Sequence, residues 1–291
     1  MSSKIPPLLE PYLALPPEAS LVLLTSVLGA STNWLVLRFL HSALASPEDE
    51  DTKVVFVSFM RDLAFWKEGS KRLGFDLEKL AVKKRFAFVD GLSGLFVPKQ
   101  QMSSIGRVGE KVLNDPKLEH VSREILESIG NLKGSQEADG KIVLVIDQLD
   151  LFLAAAGQNF GAVNLADMLM DWREVLLQKP HFTKTFTEWK QEVHSTVVTL
   201  SADFPLVSAQ QTPLERNHAV LLLSLAHQAD FTMGLRLLDT GTARDVSGVV
   251  RITVGDQAME DENDVQRRIE ERELLYFVGA DGGVRVFERG Q

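Results

Sequence analysis

Short, almost wholly apolar runs alternate along this chain with stretches whose apolar residues recur every three or four positions. That alternation limits the fold more than any other feature. Runs at residues 21–24, 54–59 and 86–89 are separated by helical spacing over 33–45 and 63–73. Strands that are apolar throughout are buried on both faces, and a strand–helix–strand rhythm lays helices over a parallel sheet. The rhythm continues with Asp115 and Pro116, which read as cap and first residue of a helix carrying Leu118, Val121, Ile125, Leu126 and Ile129 on one face. Strand 141–147 (KIVLVID) follows. Next come a helix with Leu165, Met168, Leu169, Trp172, Val175 and Leu176 at spacings of three and four, and strand 195–203 (STVVTLSAD).

Thr212, Pro213, Leu214 and Glu215 combine a capping box with proline at the first helical position, which predicts a helix over 213–227. Beyond it FTMGLRLLD, GVVRITVGD, ELLYFVGA and GVRVFER are strand-like runs joined by turns, among them Asp281-Gly282-Gly283, and are expected as antiparallel strands. The predicted fold class is α/β: a mostly parallel sheet flanked by helices, extended by antiparallel C-terminal strands. Residues 1–17, proline-rich, are expected as an N-terminal extension and 18–291 as a single domain. Within it, the charge-dense stretch 256–273 is expected as a mobile insertion, and 46–53 and 130–140 as surface loops.

Composition narrows the function. With 45% hydrophobic residues the chain can bury a core, and with no cysteine it has no disulfide framework, thiol nucleophile or thiolate-bound metal. Its 31 Lys and Arg against 40 Asp and Glu leave a net charge of −9, the wrong sign for a free-standing nucleic-acid binder. The apolar run 20–30 is about half of the roughly 20 residues a membrane span requires, so no membrane association is expected. The first residues lack the basic start of a secretion signal, and the expected location is cytoplasmic, with the nucleus as a second compartment.

The first strand-to-helix turn of such a sheet is where phosphates bind, here TSVLGASTN, residues 25–33. A P-loop needs two glycines around four residues, then Lys and Ser or Thr. Only Gly29 is present, with Ser31 and Thr32 after it, and no lysine lies between Ile5 and Lys53. The plainer reading is a capped turn with Ser31 or Thr32 at the helix start. Asp147 ends an apolar strand where a magnesium-supporting carboxylate would stand, and Asp150 follows three residues later; strands ending in Asp are common. The histidines at 41, 120, 181, 194, 218 and 227 have no metal-ligand spacing. No G-x-S-x-G or G-x-G-x-x-G occurs, GLSGLF at 91–96 being the nearest fragment. No catalytic residue, cofactor or metal is therefore expected. Lys67, Lys71 and Arg72, with Lys79, Lys83, Lys84 and Arg85 just beyond, read as a solvated helix face.

A turn in the P-loop position, an Asp-ended strand and an antiparallel extension together look like a RecA-like ATPase fold stripped of its ATP-binding lysine. VVFVSFMRDLAFWKEGSKRLGFDL, RFAFVDGLSGLF, LVIDQLDLFLAA and especially PLERNHAVLLLSLAHQADFTMGLRLLDTGTARDVSGVVRIT resemble the family of the sixth Elongator subunit in its filamentous-fungal form, from about residue 8 to the C-terminus. The resemblance implies a non-catalytic, pseudo-ATPase subunit that joins Elongator subunits 4 and 5 in a hetero-hexameric RecA-like ring. That ring docks on the catalytic Elongator subunits, binds tRNA and supports modification of the wobble uridine, U34; any ATPase activity belongs to the assembled ring. The resemblance places two channel-facing loops at 154–161 and 201–211. Neither contains Lys or Arg, so RNA contact through them would rest on Gln158, Asn159, Gln210 and Gln211 or come from partner subunits. The competing readings are a stand-alone RecA- or KaiC-like ATPase, opposed by the missing lysine, and a stand-alone RNA-binding module, opposed by the net charge.

Overall fold

The computed structural model describes residues 4–45, 51–96, 108–133, 140–157, 159–175, 190–191, 193–239, 241, 243–255 and 269–290. The chain enters through a 3₁₀ turn (Pro7–Leu9) and α1 (Glu10–Leu13), then runs β1 (Ser20–Ser26), α2 (Asn33–Ala45), β2 (Lys53–Ser58), α3 (Leu63–Arg72), α4 (Leu77–Val82), β3 (Phe86–Asp90), α5 (Ser93–Phe96) and β4 (Glu110–Val112). It continues with α6 (Leu118–Lys133), β5 (Ile142–Asp147), α7 (Leu149–Ala156), α8 (Ala162–Arg173), β6 (Glu174–Val175), β7 (Lys190–Gln191) and β8 (Ser195–Ser201). Helix α9 (Pro213–Gln228) leads into β9 (Phe231–Arg236), β10 (Gly248–Val254), β11 (Arg272–Val278) and β12 (Val284–Phe287). Ten of these strands form one sheet in the order β12-β11-β10-β9-β1-β8-β5-β2-β3-β4, and β6 pairs with β7 apart from it.

Side chains along a strand point alternately to the two faces, so the continuous apolar runs feed two cores. Val22, Leu24, Val54, Phe56, Val143, Val145 and Val197 pack on the side of α1 to α4. Leu21, Leu23, Val55, Val57, Ile142, Leu144, Ile146, Val198 and Leu200 pack against α6 to α9 on the other. The strands β9 to β12 send Met233, Ile252, Leu274, Tyr276 and Val284 into the first core only. The predicted α/β class, mostly parallel with antiparallel C-terminal strands and helices on both faces, is the observed one.

Several elements differ from expectation. Strand β9, expected antiparallel, pairs in parallel with β1 from Val22–Phe231 to Ser26–Leu235. The reason is α9, a helical crossover from β8, which returns the chain pointing the same way on the far side of β1. The reversal begins one strand later, at β10. Helix α6 starts at Leu118, not Pro116, because Asp115 Oδ1 accepts the Lys117 N–H at 3.0 Å and closes a local turn ahead of the helix. Helix α8 stops at Arg173, so Val175 lies in β6; Leu176 is outside the described residues. The short elements α4, α5, α7 and β4 carry too few turns to show a period. Leu9, Tyr12 and Leu13 of the proline-rich segment are buried in the first core, with Tyr12 Oη donating to the Glu270 carbonyl at 2.8 Å. Most of the charge-dense stretch, 256–268, and parts of both expected surface loops lie outside the described residues.

Candidate functional site

The C-terminal ends of β1, β8, β5 and β2 lie side by side, and the turn between β1 and α2 leaves the sheet there. Gly29 holds that turn at φ +92°, where a Cβ would be strained and would also stand 3.3 Å from Leu237 Cδ1. Ser31 Oγ accepts the Asn33 N–H at 3.2 Å, and the carbonyl of buried Thr32 accepts from Leu35 and Val36 at 2.9 and 3.0 Å. Both residues thus serve the start of α2.

Three of the amides that could cradle a phosphate are spent inside the protein. Val27 N–H donates to the Leu235 carbonyl at 3.3 Å and Ala30 N–H to the Val27 carbonyl at 2.9 Å. Leu28 N–H donates to Asp203 Oδ1 at 2.8 Å. A carboxylate from the end of β8 thereby takes the place of an anionic ligand at a helix N-terminus, where negative charge is favoured. Around the turn stand three large apolar side chains: Leu28 is 86% exposed, Phe204 78% and Leu237 45%. No spacing rule marks Asp203, whose bonding partner is 175 residues away in the chain.

Asp147 is fully buried one strand removed from β1. Ser58 Oγ donates to its Oδ2 at 2.9 Å and Thr199 Oγ1 to its Oδ1 at 3.2 Å. Burial pushes its pKa up to about 6 against the opposing pull of those hydroxyls and of Arg61. Thr199 Oγ1 also accepts the Gln148 N–H at 2.8 Å, and Gln148 has left-handed backbone at φ 55°. Asp150 Oδ2 accepts the Ser201 N–H at 3.2 Å, and Ser201 in turn presents its carbonyl to His218 Nε2 at 2.8 Å. Asp147 therefore ties β5 to β2 and β8, and Asp150 ties α7 to β8. No cluster of three metal-capable side chains occurs among the described residues.

Of the residues weighed for RNA contact, Gln158 lies outside the described residues, and exposed Asn159 follows α7, which takes in the first part of the 154–161 loop. In the second loop Pro205–Ala209 form one π-helical turn, Gln210 follows with left-handed backbone, and Gln211 N–H donates to Glu215 Oε2 at 2.8 Å. The basic stretch is partly tied down: Lys67 pairs with Glu78, Arg72 with Glu68, and Arg85 Nε donates to the Thr52 carbonyl at 3.1 Å. His181 is outside the described residues. No helix among the described residues is long and apolar enough to cross a membrane.

Fold and site together define a RecA-like fold whose first strand-to-helix turn is closed by internal bonds, one of them to the side chain of Asp203. Two solved structures share the fold. A KaiC-like protein of the hyperthermophilic archaeon Pyrococcus horikoshii OT3 aligns with 99% of this chain and 98% of its own at TM-score 0.52 and 15% identity. An uncharacterized Pyrococcus horikoshii protein in complex with an unknown peptide aligns over the whole of both chains at TM-score 0.60 and 12% identity. The Elongator complex protein 6 homolog of Schizosaccharomyces pombe is 22% identical over 277 residues, 95% of this chain and 94% of that protein. Residues 14–272 match the family described as Elongation complex protein 6, and the chain belongs to that family.

Proposed function

We propose that this chain is a non-catalytic subunit of Elongator that forms a hetero-hexameric RecA-like ring with subunits 4 and 5. The ring docks on the catalytic Elongator subunits, binds tRNA in the cytoplasm and supports modification of the wobble uridine U34. Family membership supports the place in Elongator. The observation that carries the accessory role is the closed turn: its Leu28 amide is taken by Asp203 and no lysine follows Gly29, so a nucleotide phosphate would meet a carboxylate there and find no counter-charge. Leu28, Phe204 and Leu237 instead offer apolar surface for a neighbouring subunit to cover. A closed ring needs a second, different face, and the exposed Val220 and Leu223 stripe of α9 supports one. With a net charge of −9 and uncharged loop residues Asn159, Gln210 and Gln211, tRNA affinity belongs to the assembly.

Co-expression with the fourth and fifth Elongator subunits, followed by mass measurement, should yield a complex with two copies of each chain. Replacing Leu28 and Phe204 by Asp should abolish its recovery while the free chain keeps its melting temperature. tRNA should be retarded in a gel by the complex and not by this chain alone. A monodisperse monomer with no affinity for either subunit would overturn the proposal.

A further inference from the structure

Between α2, α3 and the turn joining β11 to β12 lies a half-open cleft of about 320 Å³. Trp34, Leu37, Phe65, Leu73 and Val278 give it apolar walls, and Arg38 is among its lining residues. Arg38 is only 2% exposed. Its two terminal nitrogens donate to the carbonyls of Trp34 at 2.9 Å and Gly282 at 3.2 Å, while Nε is buried with no partner among the described residues. The indole N–H of Trp34, whose ring lies 5.7 Å from the guanidinium, is also buried with no partner among the described residues. Carbonyl dipoles brace the guanidinium but do not neutralise it, and burial alone pushes its pKa down to about 10.

No charge among the described residues compensates Arg38. Burial first, and then the charges of Lys4 and Arg38, hold the His41 pKa below its ordinary value, so neighbouring His41 offers Arg38 no negative charge. Glu68, the carboxylate lining the cleft, is exposed and paired with Arg72. A buried cation without a counter-charge is costly, and two orphaned donors beside it point to an acceptor from outside the chain. The cleft is at the small end of small-molecule pockets and half open, which fits one or two side chains of a peptide better than an enclosed cofactor.

We propose that this cleft docks a segment of a partner protein in which an acidic side chain stands beside a bulky apolar one. The carboxylate pairs with the Arg38 fork and takes the Trp34 N–H, and the apolar side chain lies against Leu37, Phe65, Leu73 and Val278. Small rotamer shifts of the kind common at interfaces bring the donors to the carboxylate. This inference stands on the cleft alone and is independent of the ring. Gly69 in α3 supplies a variant that leaves Arg38 untouched: both Gly69 and Leu37 line the cleft, and a Cβ at Gly69 would come within 2.6 Å of Leu37 Cδ1, so the added methyl must displace that side chain and reshape the apolar wall. Alanine also raises helix propensity, so the substitution should not unfold α3.

The test is selection of a displayed random heptapeptide library on the full chain, with Gly69→Ala as the counter-target. The winning peptide, its Glu→Gln or Asp→Asn counterpart and 4-phenylbutyrate are then titrated into chain labelled with ¹⁵N-tryptophan. Enriched peptides should carry an acidic residue beside a large apolar one. The winner should shift the Trp34 indole resonance, assigned with Trp34→Phe, and bind at least tenfold tighter than its amide counterpart. Arg38→Met should erase that preference, and Gly69→Ala should weaken binding tenfold with no fall in melting temperature. No enrichment, enriched peptides without an acid, equal binding to Gly69→Ala, or 4-phenylbutyrate binding as tightly as the peptide would each overturn the proposal.

Discussion

Asp147 is set by two opposed forces, burial raising its pKa and two hydroxyl donors lowering it, with burial prevailing at about 6 against an ordinary 3.8. A carboxyl whose folded pKa is raised binds protons more readily in the native state than in the unfolded one. Its contribution to stability is therefore full below about pH 3.8 and is lost as pH rises through about 6. Asn at this position does not titrate. The melting temperature of the native chain minus that of Asp147→Asn should accordingly grow as pH is lowered from 7.5 to 5. A difference that stays flat across this range would show that Asp147 is not the buried titrating group. The residue itself was legible as the polar end of an apolar strand. Its surroundings were not, because Ser58 and Thr199 come from strands 89 and 52 positions away, and only the strand order brings them alongside. Asp203 escaped notice for the same reason, whereas Gly29, Ser31 and Thr32 stood out because a turn is local.

Helix α9 shows what an element's sequence discloses and what it withholds. Its start was legible in full: Thr212 Oγ1 accepts the Glu215 N–H at 3.2 Å and Glu215 Oε2 accepts the Thr212 N–H at 2.9 Å, the reciprocal pair a capping box describes. Its run of apolar residues did not say which were covered. Leu221, Leu222 and Leu225 are buried against the sheet and the helices beside it, while Val220 and Leu223 stand between Arg216 and His227 on the outer face. Leu222→Ala should therefore cost about 2 to 5 kcal/mol in chemical denaturation, and Leu223→Ala within about 0.5 kcal/mol. Equal losses would mean that the buried face of α9 is misassigned. The segment ahead of β1 argues the same way: its prolines hide the short helix α1, yet Leu13 is 1% exposed in the core. Leu13→Ala should lower stability on the scale of a core leucine, about 2 to 5 kcal/mol, and a variant that melts with the native chain would show the segment to be dispensable.

At the scale of the whole molecule, the alternation of strand and helix dictated the layered sheet because each central strand must bury both faces, and that requirement can be read one segment at a time. The direction of β9 depends instead on where a crossover lands, which is a property of the assembled sheet. The same distinction governs nucleotide binding. The fold keeps the edge at which β1 turns into α2, and a RecA-like sheet alone would invite ATP there. Yet the turn lacks a lysine, its Val27, Leu28 and Ala30 amides are bonded internally, and Asp203 brings a negative charge to the place a phosphate would occupy. A ligand at a hundred times its Kd adds about 2.7 kcal/mol to folding stability. For a chain of this size that corresponds to a rise of about 4 to 5 °C in melting temperature. Magnesium ATP at 1 mM should instead move the melting of the isolated chain by less than about 1 °C, a site with a Kd near 10 μM being the case that the larger shift would reveal. A shift of several degrees that disappears in Gly29→Val would overturn the closed-turn reading and restore the stand-alone ATPase.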